Sequence, residues 1–436
     1  MPLRELLHDQ LDMVAVFGPV DAAVVAALPA AVDAHLHSPA GADLLRQKSS
    51  GQAWGSFSIR ELELAGPAVV RTTGAGLDVA ALAVRSTEIG YPIIPLSVLI
   101  SRSPATGFLV SMMFPHDLFD GTMAWKHMRE ILHRATSTWE PSDRLPVNPS
   151  PVRSALKKSG LTSRATLGAA RAARRTAELE HQTADQFPAG LVLDRDRRLS
   201  GFRSVTLSAE DLRHLDTSTA VRHGAVELPD RSRRTMKLTE LVLDAAALSM
   251  NETHDFGIRF SIDLRRYAPK GLAVEGPFST AFPFGKLRTT DNSAAALTAR
   301  LKSVIADKGP FAALLGDMLG LVKQRVRHPF ARPVPDPVRH SVGLGVSVLP
   351  SQIPASFWAA DAGDRVNAAL LLHPVQASNP YIQIGTVDDE VILSVWDETG
   401  SIDLEGFANA IPTLLASREP SQSPVRSEST ARRTTA

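Results

Sequence analysis

The sequence has 436 residues, of which 44% are hydrophobic and 21% are charged, which is the composition of an ordinary globular protein. A chain of this length exceeds one compact unit, so two domains or lobes are expected. The 47 basic and 46 acidic residues nearly cancel, so no overall field attracts nucleic acid, and the lack of cysteine excludes disulfides, thiolate metal sites and thiol nucleophiles.

The N-terminus does not resemble a signal peptide, because Glu5 and Asp9 interrupt its apolar residues. No uncharged apolar run is long enough to span a bilayer. We therefore expect a cytoplasmic protein without a transmembrane segment.

The first predicted helix lies within residues 19–36 and starts after Asp21. Its apolar residues recur at spacings of three and four, and Asp21 is the expected N-cap. A strand is predicted at residues 69–73.

An apolar run at residues 107–114 is predicted to form a buried strand. Pro115 ends it, and Asp120 is the expected N-cap of an amphipathic helix over residues 120–134. This pattern places His116 at the carboxyl end of a strand, beside the start of a helix.

A basic segment follows, with eight Lys or Arg residues and no acid from residue 144 to residue 177. It is either a solvated helical connector between lobes or a docking surface for an anionic partner, such as a carrier protein or a cofactor phosphate. Aromatic residues are absent from it, which argues against a platform for single-stranded nucleic acid. Its basic residues are Arg144, Arg153, Lys157, Lys158, Arg164, Arg171, Arg174 and Arg175.

The second half alternates predicted strands and helices and ends in a hairpin followed by a helix. The strands cover residues 201–207, 256–264, 341–349, 381–387 and 391–396, and the main helices cover residues 237–250, 293–306 and 404–415.

These patterns divide the chain into two lobes and a tail. The predicted N-terminal lobe covers residues 1–180, with the basic connector at 145–180, and the C-terminal lobe covers residues 181–416. Residues 417–436 are rich in Ser, Thr, Pro and Arg, which predicts a disordered tail.

The spacing His-x-x-x-Asp alone is uninformative, because it also occurs from His8 to Asp12 and from His181 to Asp185. Only His116 follows an apolar strand and a turn, and only its aspartate precedes a glycine and an amphipathic helix. The context therefore singles out His116, Asp120 and Gly121.

In this context, residues 114–121 resemble the His-x-x-x-Asp-Gly motif of the chloramphenicol acetyltransferase-like superfamily. This superfamily includes nonribosomal peptide condensation domains, plant BAHD acyltransferases, mycobacterial polyketide-associated acyltransferases and bacterial wax ester synthases. Residues 18–21, residues 261–265 and the terminal hairpin with its helix also resemble this superfamily. Condensation domains and wax ester synthases usually have two consecutive histidines, and Pro115 stands in place of the first.

The resemblance implies an α/β fold of two chloramphenicol acetyltransferase-like lobes. Each lobe would be a mixed β-sheet covered by helices, with an active-site tunnel between them. One chain would supply both walls, so a monomer is sufficient.

The implied activity is transfer of an acyl group from coenzyme A, or from the phosphopantetheine of an acyl or peptidyl carrier protein, to a hydroxyl or amine of a small molecule or lipid. No permanently bound cofactor is implied. The alternative is a non-catalytic condensation-like module that binds a carrier protein or an acylated ligand.

The resemblance also implies roles for individual residues. His116 would be the general base, a role that suits a neutral imidazole with an ordinary pKa of about 6.5. Asp120 would form a buried ion pair with Arg265 and so fix the loop of His116, and Gly121 would leave room for the tunnel.

Two further points remain open from the residues themselves. Ser341 and Ser347 are candidate donors to the oxyanion, because they lie near the strand expected opposite the histidine. Arg265 has the alternative interpretation of an exposed cation beside Arg266.

Overall fold

In the computed structural model, most of the described residues form helices and strands. The structure describes residues 12–39, 41, 69–72, 78–88, 96–103, 107–115, 120–138, 145–148, 150–182, 201–217, 230–250, 257–274, 278–287, 294–316, 318, 343–349, 353, 355–360, 365–372, 380–387, 390–397 and 400–417.

The first half contains four strands and five helices among the described residues. They are β1 (Asp12–Val20), α1 (Ala22–Leu36), β2 (Val69–Thr72), α2 (Val79–Glu88), β3 (Ser97–Ser103), β4 (Gly107–Pro115), α3 (Gly121–Ala135), α4 (Pro151–Ser159) and α5 (Arg164–Gln182).

The second half begins with a strand and contains all six strands of the second sheet. Its elements are β5 (Phe202–Leu207), α6 (Ala209–Thr217), α7 (Asp230–Ser249), β6 (Gly257–Asp263), β7 (Ser279–Lys286), α8 (Ala294–Ala306), β8 (Gly343–Leu349), β9 (Val366–Leu372), β10 (Tyr381–Val387), β11 (Glu390–Trp396) and α9 (Leu404–Ser417).

The first sheet has the strand order β2-β3-β4-β1-β9. Strands β2 and β3 are parallel and the other pairs are antiparallel. One face packs under α1 and α3, where Phe17, Val110 and Met112 join the apolar cluster of Leu28 and Ile131. This cluster holds the helix that begins after Asp120.

Strand β9 is an exception to the predicted division of the chain. It lies beyond residue 180, yet it pairs along its whole length with β1, from Val366 opposite Gly18 to Leu372 opposite Asp12. The lobe boundary near residue 180 stays a prediction, and the first sheet takes its last strand from the second half.

The second sheet has the strand order β5-β11-β10-β8-β6-β7, with β8 parallel to both of its neighbours. Its apolar face, which includes Ile258, Leu344 and Ile384, packs with Leu241 of α7 and Leu297 of α8. The two helix-covered mixed sheets confirm the predicted α/β class with two lobes.

The chain around residue 20 follows its prediction. The helix begins after Asp21, whose carboxylate accepts a hydrogen bond from the Ala23 amide at 2.7 Å. The predicted cap and the helix start after it are therefore confirmed, and Pro19 and Val20 belong to the preceding strand β1. Val20 belongs there because it is buried and pairs with Phe108.

The predictions around β4 and α3 are confirmed within one residue at each end. The strands predicted at 201–207, 256–264, 341–349, 381–387 and 391–396 appear as β5, β6, β8, β10 and β11, with residues 341 and 342 outside the described part.

The basic segment forms α4 and α5. Of the predicted tail, residue 417 ends α9 and the remainder lies outside the described residues. None of the helices in the described ranges has the length and apolar character needed to cross a membrane.

Truncation of one core leucine tests the packing of α1 on α3. Leu28 is 0% exposed, so Leu28→Ala should lower the free energy of unfolding by about 2–5 kcal/mol because it removes buried methyl groups and leaves a cavity. The matched control is Leu248→Ala on α7, where the side chain is 66% exposed and the change should stay within about 0.5 kcal/mol. Urea unfolding followed by circular dichroism measures both, and equal losses would contradict the packing described.

Candidate active site

Asp120 lies directly before α3 and is completely buried. Its backbone is extended, and its Oδ1 atom accepts a hydrogen bond from the Met123 amide at 2.9 Å. The carboxylate thus caps the helix, where it satisfies one of the free amide groups and lies at the positive end of the helix dipole.

The other oxygen of Asp120 reaches the second lobe. Its Oδ2 atom accepts hydrogen bonds from Arg265 Nη1 at 2.7 Å and from the Phe278 amide at 2.6 Å. One buried carboxylate therefore accepts three hydrogen bonds, one from α3 and two from the chain around β6 and β7. Such full hydrogen bonding is what a carboxylate removed from water requires.

Arg265 is held in place by its own surroundings. It lies in a short 3₁₀ turn, Leu264–Tyr267, that follows β6 and is capped by the Asp263 carboxylate. Its guanidinium donates to the Val274 carbonyl from Nε at 3.1 Å and to Asp263 Oδ1 from Nη1 at 3.2 Å. The side chain is 17% exposed, whereas Arg266 is exposed, so the interpretation of Arg265 as a surface cation is wrong.

A second polar contact joins the same two elements. Thr122 Oγ1 in the first turn of α3 donates to Asp263 Oδ2 at 3.2 Å. Gly121 is the first residue of α3, and its predicted role in leaving room for a tunnel stays a prediction.

His116 lies outside the described residues, as does Ser341. The described structure shows the two ends between which His116 lies. Pro115 ends β4 in the first sheet, and Asp120 begins α3 four residues after His116 and is bonded to the second lobe. Of the two flanking residues, Pro115 thus belongs to the first sheet and Asp120 is bonded to the second lobe.

The second sheet turns a polar face toward the first lobe. Residues paired directly across neighbouring strands lie on the same face of a sheet. The polar face includes two such pairs, Gly345 with Tyr381 and Ser347 with Gln383. Trp396, paired with Tyr381, packs with Val14 and other residues of the first sheet. The same face carries Ser261 and Asp263 of β6, and it is exposed at Ser261.

Ser347 is thus placed on the face that Thr122 contacts through Asp263. It is buried. Its Oγ atom lies near the Tyr381 hydroxyl but forms no hydrogen bond of normal geometry with any described residue. A buried hydroxyl with spare hydrogen-bonding capacity suits the predicted donor to an oxyanion, although that role stays a prediction.

Tyr381 joins two serines in a cluster of hydroxyl groups. Burial raises the pKa of the Tyr381 phenol above its ordinary value, and the nearby hydroxyls of Ser347 and Ser261 act in the opposite direction. Gly345 makes room for the ring, because a Cβ atom there would lie 2.5 Å from Tyr381 Cδ2. Burial also lowers the pKa of Arg259, which shares this face.

Three residues of this site were not predicted from the sequence, namely Phe278, Tyr381 and Gln383. A backbone amide such as that of Phe278 carries no side-chain signal. In the sequence, Tyr381 and Gln383 alternate with isoleucines. This alternation does not indicate which face of the sheet contacts the other lobe. Within the described ranges, no group of three or more His, Asp or Glu side chains is arranged to hold a metal ion.

Comparison with known proteins supports the fold through structure and not through sequence. No protein-family model and no curated protein matches the sequence. The structure matches the nonribosomal peptide synthetase FmoA3 in its AMPPNP-bound form with a TM-score of 0.55 and 14% identity, over 96% of this chain and 42% of that one. It matches the first condensation domain of the CDA synthetase with a TM-score of 0.50 and 14% identity, over 94% of this chain and 92% of that one.

These matches and the two sheets define the class of the fold. The chain has the two-lobed fold of the chloramphenicol acetyltransferase-like superfamily. More closely, its fold is that of nonribosomal peptide synthetase condensation domains over nearly its whole length.

The buried ion pair makes a prediction about stability. Arg265→Ala and Asp120→Asn should each lower the free energy of unfolding by roughly 3–5 kcal/mol, because the first removes the cation from the buried Asp120 carboxylate and the second removes the charge that Arg265 Nη1 binds at 2.7 Å. The matched control is Arg266→Ala, which removes the exposed neighbouring arginine and should change stability by less than about 0.5 kcal/mol. Thermal and urea unfolding measure these changes, and equal stability of all three variants would show that the pair does not stabilise the fold.

The half-buried Tyr381 makes a prediction about alkaline pH. The unfolded chain ionises Tyr381 near its ordinary pKa of about 10, whereas the folded protein keeps the phenol neutral to higher pH. The contribution of this group is therefore complete below about pH 10 and is lost as the pH rises through the folded pKa. Tyr381→Phe should lose less stability than wild type between about pH 8 and pH 11 in urea unfolding. Identical losses would show that the folded protein does not raise the pKa of Tyr381.

Proposed function

We propose that the protein is an acyltransferase that moves an acyl group from a thioester to a hydroxyl or amine. The donor is acyl-coenzyme A or an acyl or peptidyl carrier protein, and the acceptor is a small molecule or a lipid. The observation that carries this proposal is the three-fold hydrogen bonding of buried Asp120, which fixes the chain that follows His116 against the second lobe.

In the proposed reaction, the neutral imidazole of His116 removes the proton of the acceptor O–H or N–H group as that atom attacks the thioester carbonyl. A new C–O or C–N bond forms, and the carbonyl oxygen becomes an oxyanion. The C–S bond then breaks, and the imidazolium returns the proton to the departing thiolate. The products are an ester or amide and a free thiol, so no covalent enzyme intermediate is required.

The described residues support this chemistry in two ways. Asp120 and Arg265 act as positioning residues, since their ion pair fixes the start of α3 and hence one end of the segment that carries His116. The polar face around Ser347 and Tyr381 supplies hydroxyl groups that can donate to the oxyanion or to a polar acceptor. The fold provides two lobes in one chain, so both walls of a site come from the same molecule.

Substitution of the histidine tests the proposal. His116→Ala should lower acyl transfer by about 10²–10⁴-fold, because general base catalysis is lost while substrate binding is kept. Mass spectrometry of products from acyl-coenzyme A and acyl carrier donors with pools of alcohols and amines measures the transfer. The control is His37→Ala, since His37 is an exposed histidine at the end of α1 and should keep the wild-type rate. Equal background transfer by wild type and His116→Ala, with ligand still bound, would instead favour the non-catalytic module.

A further inference from the structure

The basic segment of the chain forms an ordered surface on the second lobe. Helix α5 packs against β7, and its inward side includes the completely buried Ala170. Helix α4 contacts the 3₁₀ turn of Arg265, where Lys158 Nζ donates to the carbonyls of Arg266 and Ala268. The surface is therefore attached directly to the structure that binds Asp120.

Three arginines form a line along the outer side of α5. Arg164, Arg171 and Arg175 are separated by seven and four residues, so they recur on one face of the helix. All three are exposed, and none has an ion pair or a side-chain hydrogen bond within the described part of the chain. From the first to the last, the line extends about 16 Å at about 1.5 Å per residue. We name these three residues the arginine line.

These cations differ from others on the same helix. Arg174, on the inner side, donates to the Ala313 carbonyl at 3.2 Å and so has an internal structural role. The arginine line has no such role in the described structure. It is also too long for its members to converge on one phosphate group, so it suits an elongated anionic partner.

Gly168 lies within the arginine line, between Arg164 and Arg171. Glycine is unfavourable in the interior of a helix relative to alanine. Here no internal packing requires it, because a Cβ atom would find nothing within 4 Å. A glycine in an exposed helix with open space above it leaves room for the backbone of another molecule to approach closely.

Exposed apolar side chains concentrate in the same segment. The described residues contain four large hydrophobic side chains with high exposure, and three of them lie at Leu145, Val147 and Leu179. Leu179 follows Arg175 by four residues and continues the arginine line toward the end of α5. Cations together with exposed apolar residues are typical of a protein-binding surface.

We propose that the arginine line, with Gly168 at its centre, docks an acidic helix of a partner protein. Arginine binds carboxylates in a bidentate manner, and one acidic helix of about three turns matches the length of the line. The lack of aromatic residues from residue 144 to residue 177 argues against single-stranded nucleic acid. On the proposed function, which this step requires, the partner is the carrier protein that brings the thioester.

Charge reversal and glycine replacement test this docking surface. Fluorescence anisotropy measures the binding of a panel of labelled holo acyl and peptidyl carrier proteins to the full chain. The combined variant Arg164→Glu, Arg171→Glu and Arg175→Glu should bind at least about tenfold more weakly, and wild-type binding should weaken as salt rises. Gly168→Gln should also weaken binding while its melting temperature is unchanged or higher. The matched control is Ala169→Gln, which adds the same side chain about 100° around the helix and should leave binding unchanged.

Activity with two kinds of donor separates this proposal from the proposed function. The charge-reversed variant should keep wild-type transfer from a small acyl-N-acetylcysteamine thioester and lose transfer from the acyl carrier protein. If wild type transfers from neither donor yet binds carriers through the arginine line, the proposed function fails and the docking surface stands. The docking proposal is overturned if no carrier binds wild type, or if all variants bind equally. It is also overturned if charge reversal abolishes binding only to phosphatidylglycerol vesicles or duplex DNA.

Discussion

The structure depends on the hydrogen bonds of one buried carboxylate. A carboxylate without water is stable only when its oxygens are fully hydrogen-bonded, and preferably when a cation is nearby. Asp120 meets this requirement with one donor from its own helix and two from the other lobe. The relative position of α3 and the second sheet is thus constrained at this point, because separation would leave the Asp120 carboxylate with only the Met123 amide and without its cation.

A second connection between the lobes is made by backbone pairing. Strand β9 leaves the second half of the chain and completes the first sheet beside β1. Together, β9 and the Asp120 ion pair hold the polar face of the second sheet against the first lobe. Hydroxyl and amide groups from β6, β8 and β10 lie on the sheet face that carries Asp263, whose carboxylate accepts a hydrogen bond from Thr122 in the first turn of α3.

The local features of the site could be predicted from the sequence. The apolar run before Pro115 determines β4, and the capping side chain of Asp120 determines the start of α3. Both signals act on residues that are close in sequence. The pairing of Asp120 with Arg265 came from the resemblance, since a separation of 145 residues leaves no local signal.

The non-local parts could not be predicted. Nothing in residues 366–372 indicates that they pair with β1, and the Phe278 amide has no side chain to reveal its role. Polar and apolar residues alternate along β10, but this alternation indicates site residues only when the face toward the first lobe is known.

A double-mutant cycle on activity tests most directly whether the Asp120 and Arg265 pair positions the catalytic segment. Transfer from a small thioester would be measured as kcat/KM for wild type, Asp120→Asn, Arg265→Ala and the double variant. If the pair acts as one unit, the double variant should lose about as much kcat/KM as the more damaged single variant. Fully additive losses would contradict the account, because they would mean that the two residues act independently of each other.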